Sequence, residues 1–463
     1  MTKKILLIAA LVCAVLPCGA RKKNVPQPFL WPDGTPVSEW FKDETVKTPQ
    51  ELGKLYNIRD YGAISSPQLL QTELIQGVID KAAEEGGGVI VIPEGIYKSG
   101  SLFFKQGTHL YLSRGAVLLG SESIVDFPVI ETRIEGEVCK YFGALVNADG
   151  LDGFTLTGPG TIDGNGSPYW KAFRLRRQWN PKCTNKDEQR PRLVHVSNST
   201  NVTIAGATLQ NSPFWTCHLY KCSKVRLFDL RIYSPRHPIA SASADGIDMD
   251  VCSQMHIKGC RITVNDDAVC FKGGKGPWAD TDPVNGPNTD ILVEDCFFDN
   301  TTGSCVTCGS ECIFTSNVIV RNCTVEHGQA LLQLKMRPDT PQRYQYITME
   351  NITGSCRDIL RVAPWTQFFD LKGREDIPMS YGEHIVFKGL TLDCAKDFAD
   401  ISKATSHTME DYKEEDVKKS DEQYELNDIS FENVTATAPA QEWNRQYING
   451  LKVVNTTLNG IAQ

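Results

Sequence analysis

The 463-residue chain is 41% hydrophobic and 22% charged, carries 37 glycines, and has a formal net charge of -8. That balance describes a folded, turn-rich chain and leaves no basic footprint, which sets nucleic acid aside as a partner. Beyond a short leader, no stretch is long and apolar enough to span a bilayer.

Residues 1–20, MTKKILLIAALVCAVLPCGA, place two lysines before a short apolar run and small residues. This is the pattern of a secretory signal peptide, so export to a periplasm or cell surface is expected. Cys18 has two readings, a lipid-modified anchor to a membrane or part of an ordinary cleavage site. Residues 21–54 form an N-terminal extension, and residues 55–463 read as a single domain.

That domain opens with YNIRDYGA (56–63) and a helical stretch, LLQTELIQGVIDKAAEEGGG (69–88), followed by the strands VIVIPEGIYKSGSLFF and LYLSRGAVLLGS. A helix closed by three glycines ahead of strands predicts a cap over the open end of a solenoid. Then come NVTIAGATL (201–209), KVRLFDLRI (224–232), QMHIKGCRI (254–262), DILVEDCFF (290–298) and NVIVRNCTV (317–325), continued by segments at 346–354, 384–392 and 428–436. Each alternates apolar residues, turns at Gly, Asp or Asn, and starts another short strand. β-branched strands recurring without helical periodicity predict an all-β fold, one right-handed parallel β-helix.

Two of the 16 cysteines lie in the leader. Cys260, Cys296 and Cys323 share one repeat position, filled elsewhere by Ala207, Leu230, Ile352, Leu390 and Val434, so they read as stacked small hydrophobes. Cys305, Cys308 and Cys312 invite a metal reading, but no histidine completes the set, and no metal or other cofactor is expected. Asn322 and Asn351 begin glycosylation sequons, yet sit where the repeat turns. Residues 397–425 are charged and poor in strand formers, which predicts a long surface loop with no core role.

A second strand series runs through the same coils: GIDMD (246–250), AVCFKG (268–273), CVTCGS (305–310) and LLQLKM (331–336). Aligning Ile247, Val269, Val306 and Leu332 stacks Asp245 over Asp267, with Asp266 beside them. Crowded like charges raise one another's pKa, so the arrangement needs an explanation. Glycoside hydrolysis by a protonated acid and an opposed base, calcium binding, and turn capping by aspartates all remain open. Lys272 and Lys335 share one position two coils apart and suit an anionic ligand such as a uronic acid, or are solvated strand ends. Trp215, Trp278 and His218 are candidates for a sugar-binding surface, although a lone histidine is more often a structural hydrogen-bonding residue.

ADGID, followed 21 residues after Asp245 by DDAVCFK and preceded by SPFWTCH, resembles glycoside hydrolase family 28, the polygalacturonases and rhamnogalacturonan hydrolases. The resemblance covers the chain from about residue 55 and implies an inverting hydrolase acting on pectic carbohydrate. It makes Asp266 the general acid, has Asp245 and Asp267 hold the attacking water, and sets Lys335 against a substrate carboxylate. The family's Asn-Thr-Asp motif is reduced here to Ser243-Ala244-Asp245, Ser304 stands where its histidine would be, and Gln333-Leu334-Lys335 replaces Arg-Ile-Lys. These departures turn the expectation from internal cleavage of polygalacturonan towards removal of terminal galacturonic acid, with inserts after Lys272 and at 397–425 walling off a cleft. A rhamnogalacturonan hydrolase or rhamnosidase is the alternative within the family, and a calcium-dependent lyase or a non-catalytic binding solenoid the alternatives outside it. A monomer is expected.

Overall fold

The computed structural model describes residues 29–300, 302–367, 369–374, 376–403 and 424–463. The predicted leader, with Cys18, lies outside the described residues. From Leu55 onward the chain winds as a right-handed parallel β-helix, whose strands stack into three ladders, one for each side of the coil. The first runs from Leu55–Asn57 through Gly88–Ile92 to Ile448–Asn449 and takes the leading strand of each of the eight repeat segments, whose second strand enters the next ladder. The second begins at Ser66–Leu70 and Gly95–Ser99. The third begins at Leu102–Phe104 and continues through Val146–Asp149, Val194–Ser197 and Cys217–Tyr220 to Ile247–Asp250, Val269–Lys272, Val306–Cys308 and Leu332–Met336.

Alternation along each strand explains the stack. Ile247, Met249, Val269, Phe271, Val306, Leu332 and Leu334 point into one continuous core, each leaving its neighbour to face outward. Burying such a side chain contributes roughly 1.5–3 kcal/mol, and coil after coil repeats the gain. The helix Thr72–Glu84 sends Ile75, Val78, Ile79 and Ala82 into the same core beside the first strands.

The corners explain the repeated Gly, Asp or Asn. Gly206, Asp229, Gly259, Asp295, Asn322, Asn351, Gly389 and Asn433 all adopt a left-handed backbone, with φ between 53° and 72°. Those residue types tolerate that region best. The Asn351 amide donates to Asn322 Oδ1 at 3.4 Å, so these sequon asparagines form part of a turn ladder. The cysteine series stacks as its register predicts: Arg261, Phe297 and Thr324 pair in succession, and Cys260, Cys296 and Cys323 precede them in the core.

Within the extension, Trp31, Val37 and Phe41 pack on Leu292 and Ile319, on the outer face of the first ladder. One expectation changes. The segment from 397 is not loop throughout. Strand Thr391–Ile401 buries Phe398, Ala399 and Ile401, while Lys396, Asp397 and Asp400 face out. Charge on the outward positions concealed the apolar inward ones. Residues 404–423 of the predicted loop lie outside the described residues.

Candidate active site

The outward positions of the third ladder carry the polar groups. Pairing of Ile247 with Val269, Val306 and Leu332 in turn, then of Leu332 with Leu360, sets Asp248, Cys270, Thr307, Gln333 and Arg361 in one outward row. Asp250 and Lys272 pair in a second row, which Lys335 rejoins two coils later. Asp245 and Asp267 precede Ile247 and Val269 by two residues, where the chain enters the ladder, and the Gly246 amide donates to the Asp267 carbonyl at 2.9 Å. Gly303 lets the next coil approach, because a Cβ there would collide with the Asp266–Asp267 peptide.

One oxygen from each of Asp245, Asp266 and Asp267 lies within 4.8 Å of the other two. Each carboxyl has a different environment. Burial and then the charges of Asp245 and Asp267 push Asp266 well above the ordinary carboxylate range. Burial acts on Asp267 too, but the Lys335 ammonium at 2.8 Å and the Ser304 amide at 2.8 Å outweigh it and hold its pKa down. Asp245 is raised by burial and by Asp267, against the pull of Lys272 at 3.5 Å. The cluster therefore holds a protonated carboxyl and an ionised one side by side, the separation of roles that acid–base catalysis requires.

These groups open onto a cavity of about 780 Å³, which Trp215, Lys272, Lys335, Gln333, Arg361 and Trp365 also line. Lys272 Nζ lies 3.3 Å from Glu311, 3.4 Å from Asp248 and 4.7 Å from the centre of the Trp215 ring. Lys335 Nζ lies 4.7 Å from the Trp365 ring centre. Two excursions from the coil complete the wall. Helix Ser167–Trp179 brings Arg174 and Arg177 to the rim. An antiparallel hairpin, Val129–Ile134 with Glu137–Phe142, brings Glu135, whose carboxylate accepts from Asn185 at 2.7 Å and faces Lys275 at 3.7 Å. The far side of the same hairpin, at Glu131–Arg133, lines a separate cavity over earlier coils of the ladder, beside Phe103, Asn147 and His195. The hairpin thus divides the face in two.

Of the residues predicted for the site, Asp245, Asp266, Asp267, Lys272, Lys335 and Gln333 converge on the cavity. Ser304 stands just behind it, fully buried, with its hydroxyl donating to Gln333 Oε1 at 2.8 Å. His218 does not reach the cavity. It is fully buried beneath Trp215, takes a 2.7 Å contact from Arg192 and stacks on His195 at 4.8 Å, and burial beside Arg192 keeps it neutral. Trp278 also lies elsewhere, half exposed on the insert after Lys272, with Arg374 5.0 Å from its ring centre. Both sit in sequence beside site residues, but the length of the insert carries Trp278 away, and His218, outward in the row that continues through Asp248, is covered by Trp215 and Arg192.

Sequence reasoning missed the hairpin, the helix and Arg361. Glu135-Gly136 between two alternating runs is a turn signal, since both take positive φ. Pro168 near the start of a Tyr169, Trp170 and Phe173 face is a helix-start signal. As for metals, the described groups with ligand spacing are Asp245–Asp248–Cys270, Asp245–Asp266–Asp267 and Asp358–Asp397–Asp400. In the first two, Lys272 and Lys335 already occupy the place of a cation. Cys305, Cys308 and Cys312 are buried among apolar side chains.

The sequence profile described as Glycosyl hydrolases family 28 matches residues 117–356. A probable polygalacturonase of Vitis vinifera is 31% identical over 243 residues, 50% of this chain and 47% of that protein. An exopolygalacturonase of Platanus acerifolia is 21% identical over 309 residues, 65% of this chain and 74% of that protein. The chain spans about half the length of several of the curated relatives it matches. The solved structure of a hyperthermoactive exopolygalacturonase from Thermotoga maritima superposes with a TM-score of 0.68 at 19% identity, covering 89% of this chain and 93% of that one.

Proposed function

Because the chain belongs to the glycosyl hydrolases family 28, we propose that it hydrolyses pectic chains from one end and releases galacturonic acid. The observation that carries the chemistry is the three-carboxylate cluster, within 4.8 Å, with Asp266 pushed up and Asp267 held down. In this reading Asp266 gives its proton to the glycosidic oxygen as the bond to the anomeric carbon breaks. A water attacks that carbon and passes its proton to the Asp245–Asp267 pair.

Inversion is the stereochemical part of the proposal. Acid and base in inverting enzymes usually stand about 6.5–9.5 Å apart, wider than this cluster. Here two carboxylates at the chain's entry to successive strands can accept hydrogen bonds from both O–H groups of one water, and one of the pair takes the single proton released as it attacks. The end-on part draws support from the hairpin, which closes the face on the side of the earlier coils, and from the exopolygalacturonase among the relatives. Export, with or without an anchor through Cys18, belongs to the same proposal, since the polymer lies outside the cell.

A second reading, a rhamnogalacturonan hydrolase, is favoured by the neutral Gln333 in the wall, held from behind by Ser304, which suits an uncharged sugar at the cleaved position. Incubating the protein and its Asp266→Asn variant with polygalacturonan and rhamnogalacturonan separates the two. Galacturonic acid released from the first with inverted configuration by NMR, and a loss of about 10²–10⁴-fold in the variant, is the expected result. Long oligosaccharide products would overturn the end-on reading, a retained anomer the inverting one, and an active variant the assignment of the acid.

A further inference from the structure

Cations predicted to meet a substrate's charge turn out to be engaged already. Lys335 Nζ stands 2.8 Å from Asp267, and Lys272 Nζ within 3.5 Å of Asp245, Asp248 and Glu311. Drawing either towards a ligand would leave a buried carboxylate uncompensated, which is strongly unfavourable. On the rim, Arg174 gives Nε and Nη2 to the Ala240 carbonyl, and Arg177 lies exposed with Nη2 on Asn185.

Arg361 differs from the two lysines in its charge partners, and from the two rim arginines in standing on the ladder itself. It pairs in register with Gln333, faces the cavity, and keeps 22% of its side chain exposed. Its ion pair with Asp400 is long, at 3.7 Å, and Asp400 has closer partners in Lys396 at 3.2 Å and Arg357 at 3.3 Å. Turning Arg361 to a ligand therefore leaves no carboxylate without a cation. Gln333, one coil before it, has its amide oxygen satisfied by Ser304.

We propose that Arg361 is the substrate-binding residue that receives the carboxylate of a uronic acid in this cavity, a role for which its planar fork is suited and a lysine's point charge is not. The proposal rests on the pectic reading above and names the group that recognises the acidic sugar. Lys272 and Lys335 then set the charge of the aspartates, and Arg361 alone reads the acid.

Binding in the Asp266→Asn background tests it by calorimetry, with trigalacturonic acid and its carboxyl-reduced, neutral counterpart as probes. Arg361→Gln is expected to weaken the acidic ligand by about 10- to 100-fold and the neutral one by less than about two-fold. Arg361→Lys keeps the charge without the fork and is expected to fall between. Equal weakening of both ligands assigns Arg361 a structural part and overturns the proposal, as does unchanged affinity for the acid. If the unmodified protein neither cleaves polygalacturonan nor binds trigalacturonic acid, the pectic reading fails first and takes this assignment with it. If it cleaves while Arg361→Gln binds normally, this assignment fails by itself.

Discussion

Two buried charged clusters sit on the same strand, Ile247–Asp250, and settle their charge in opposite ways. At its end, Asp250 accepts from Arg133 at 3.0 and 3.2 Å, both side chains fully buried, with the neutral His218 3.6 Å away. Arg192 is held beside them, its pKa lowered to about 10 by burial. Cations there match or exceed the carboxylate, and the histidines stay uncharged. Around the start of the strand, Asp245, Asp248, Asp266, Asp267 and Glu311 crowd about Lys272 and Lys335, with Lys275 and Arg337 acting on Glu311 from farther off. That surplus must be met by protons, which burial and mutual repulsion keep on Asp266 and Asp248. A balanced cluster holds structure, whereas an overcharged one stores a transferable proton.

Breaking each cluster should separate these roles. Asp250→Ala removes one partner of a fully buried pair and leaves Arg133 uncompensated, so a loss of about 3–5 kcal/mol in folding stability by urea denaturation is expected. Asp245→Asn relieves crowding, and its folding stability should stay within about 1 kcal/mol of the parent while hydrolysis is lost. Equal destabilisation by the two would erase the distinction.

A smaller effect sharpens the overcharged side. Activity in the proposed mechanism requires Asp267 ionised and Asp266 protonated, so the pH profile of kcat/KM rises with the first and falls with the second. Asp267 is held down by Lys335, so Lys335→Met raises its pKa and moves the acid limb towards higher pH by about one unit or more. The alkaline limb belongs to Asp266, which burial and two neighbouring aspartates hold up, and Asp245→Asn in any residually active preparation moves that limb down. An acid limb unmoved by Lys335→Met would show that Asp267 is not the group behind it.

What the sequence revealed follows the residue types that announce their backbone. Gly206, Asp229, Asn322 and Asn433 mark one corner of the coil because left-handed backbone selects Gly, Asp and Asn. A second left-handed position recurs at Asn201, Lys224, Gln254, Asp290, Asn317, Tyr346, His384 and Asp428, and the four that are neither Asn nor Asp blur the signal there. Register carried the aspartates: once Ile247, Val269 and Val306 were aligned, the cluster followed. It also put the lysines near the site but left their partners unseen, because contacts with Asp248 and Glu311 depend on how the chain folds over the outward face. Arg361 required one more coil, and the hairpin leaves the repeat altogether, so a search for repeating strands passed over both.

Away from either cluster, the cysteine ladder gives the smallest expected change and a control for the comparison. The 14 cysteines among the described residues are free thiols, and Cys296 is 3% exposed, its Sγ donating to the Glu294 carbonyl at 3.2 Å. If the ladder is only small hydrophobic filling, Cys296→Ala deletes one buried sulfur and costs about 1 kcal/mol, because Ala207 shows that the position accepts that side chain in another coil. Reductant should leave the melting temperature unchanged, and kcat should match the parent, since neither charged cluster is touched. A loss above about 3 kcal/mol would instead give the thiols a part in holding adjacent coils together, beyond the volume they fill.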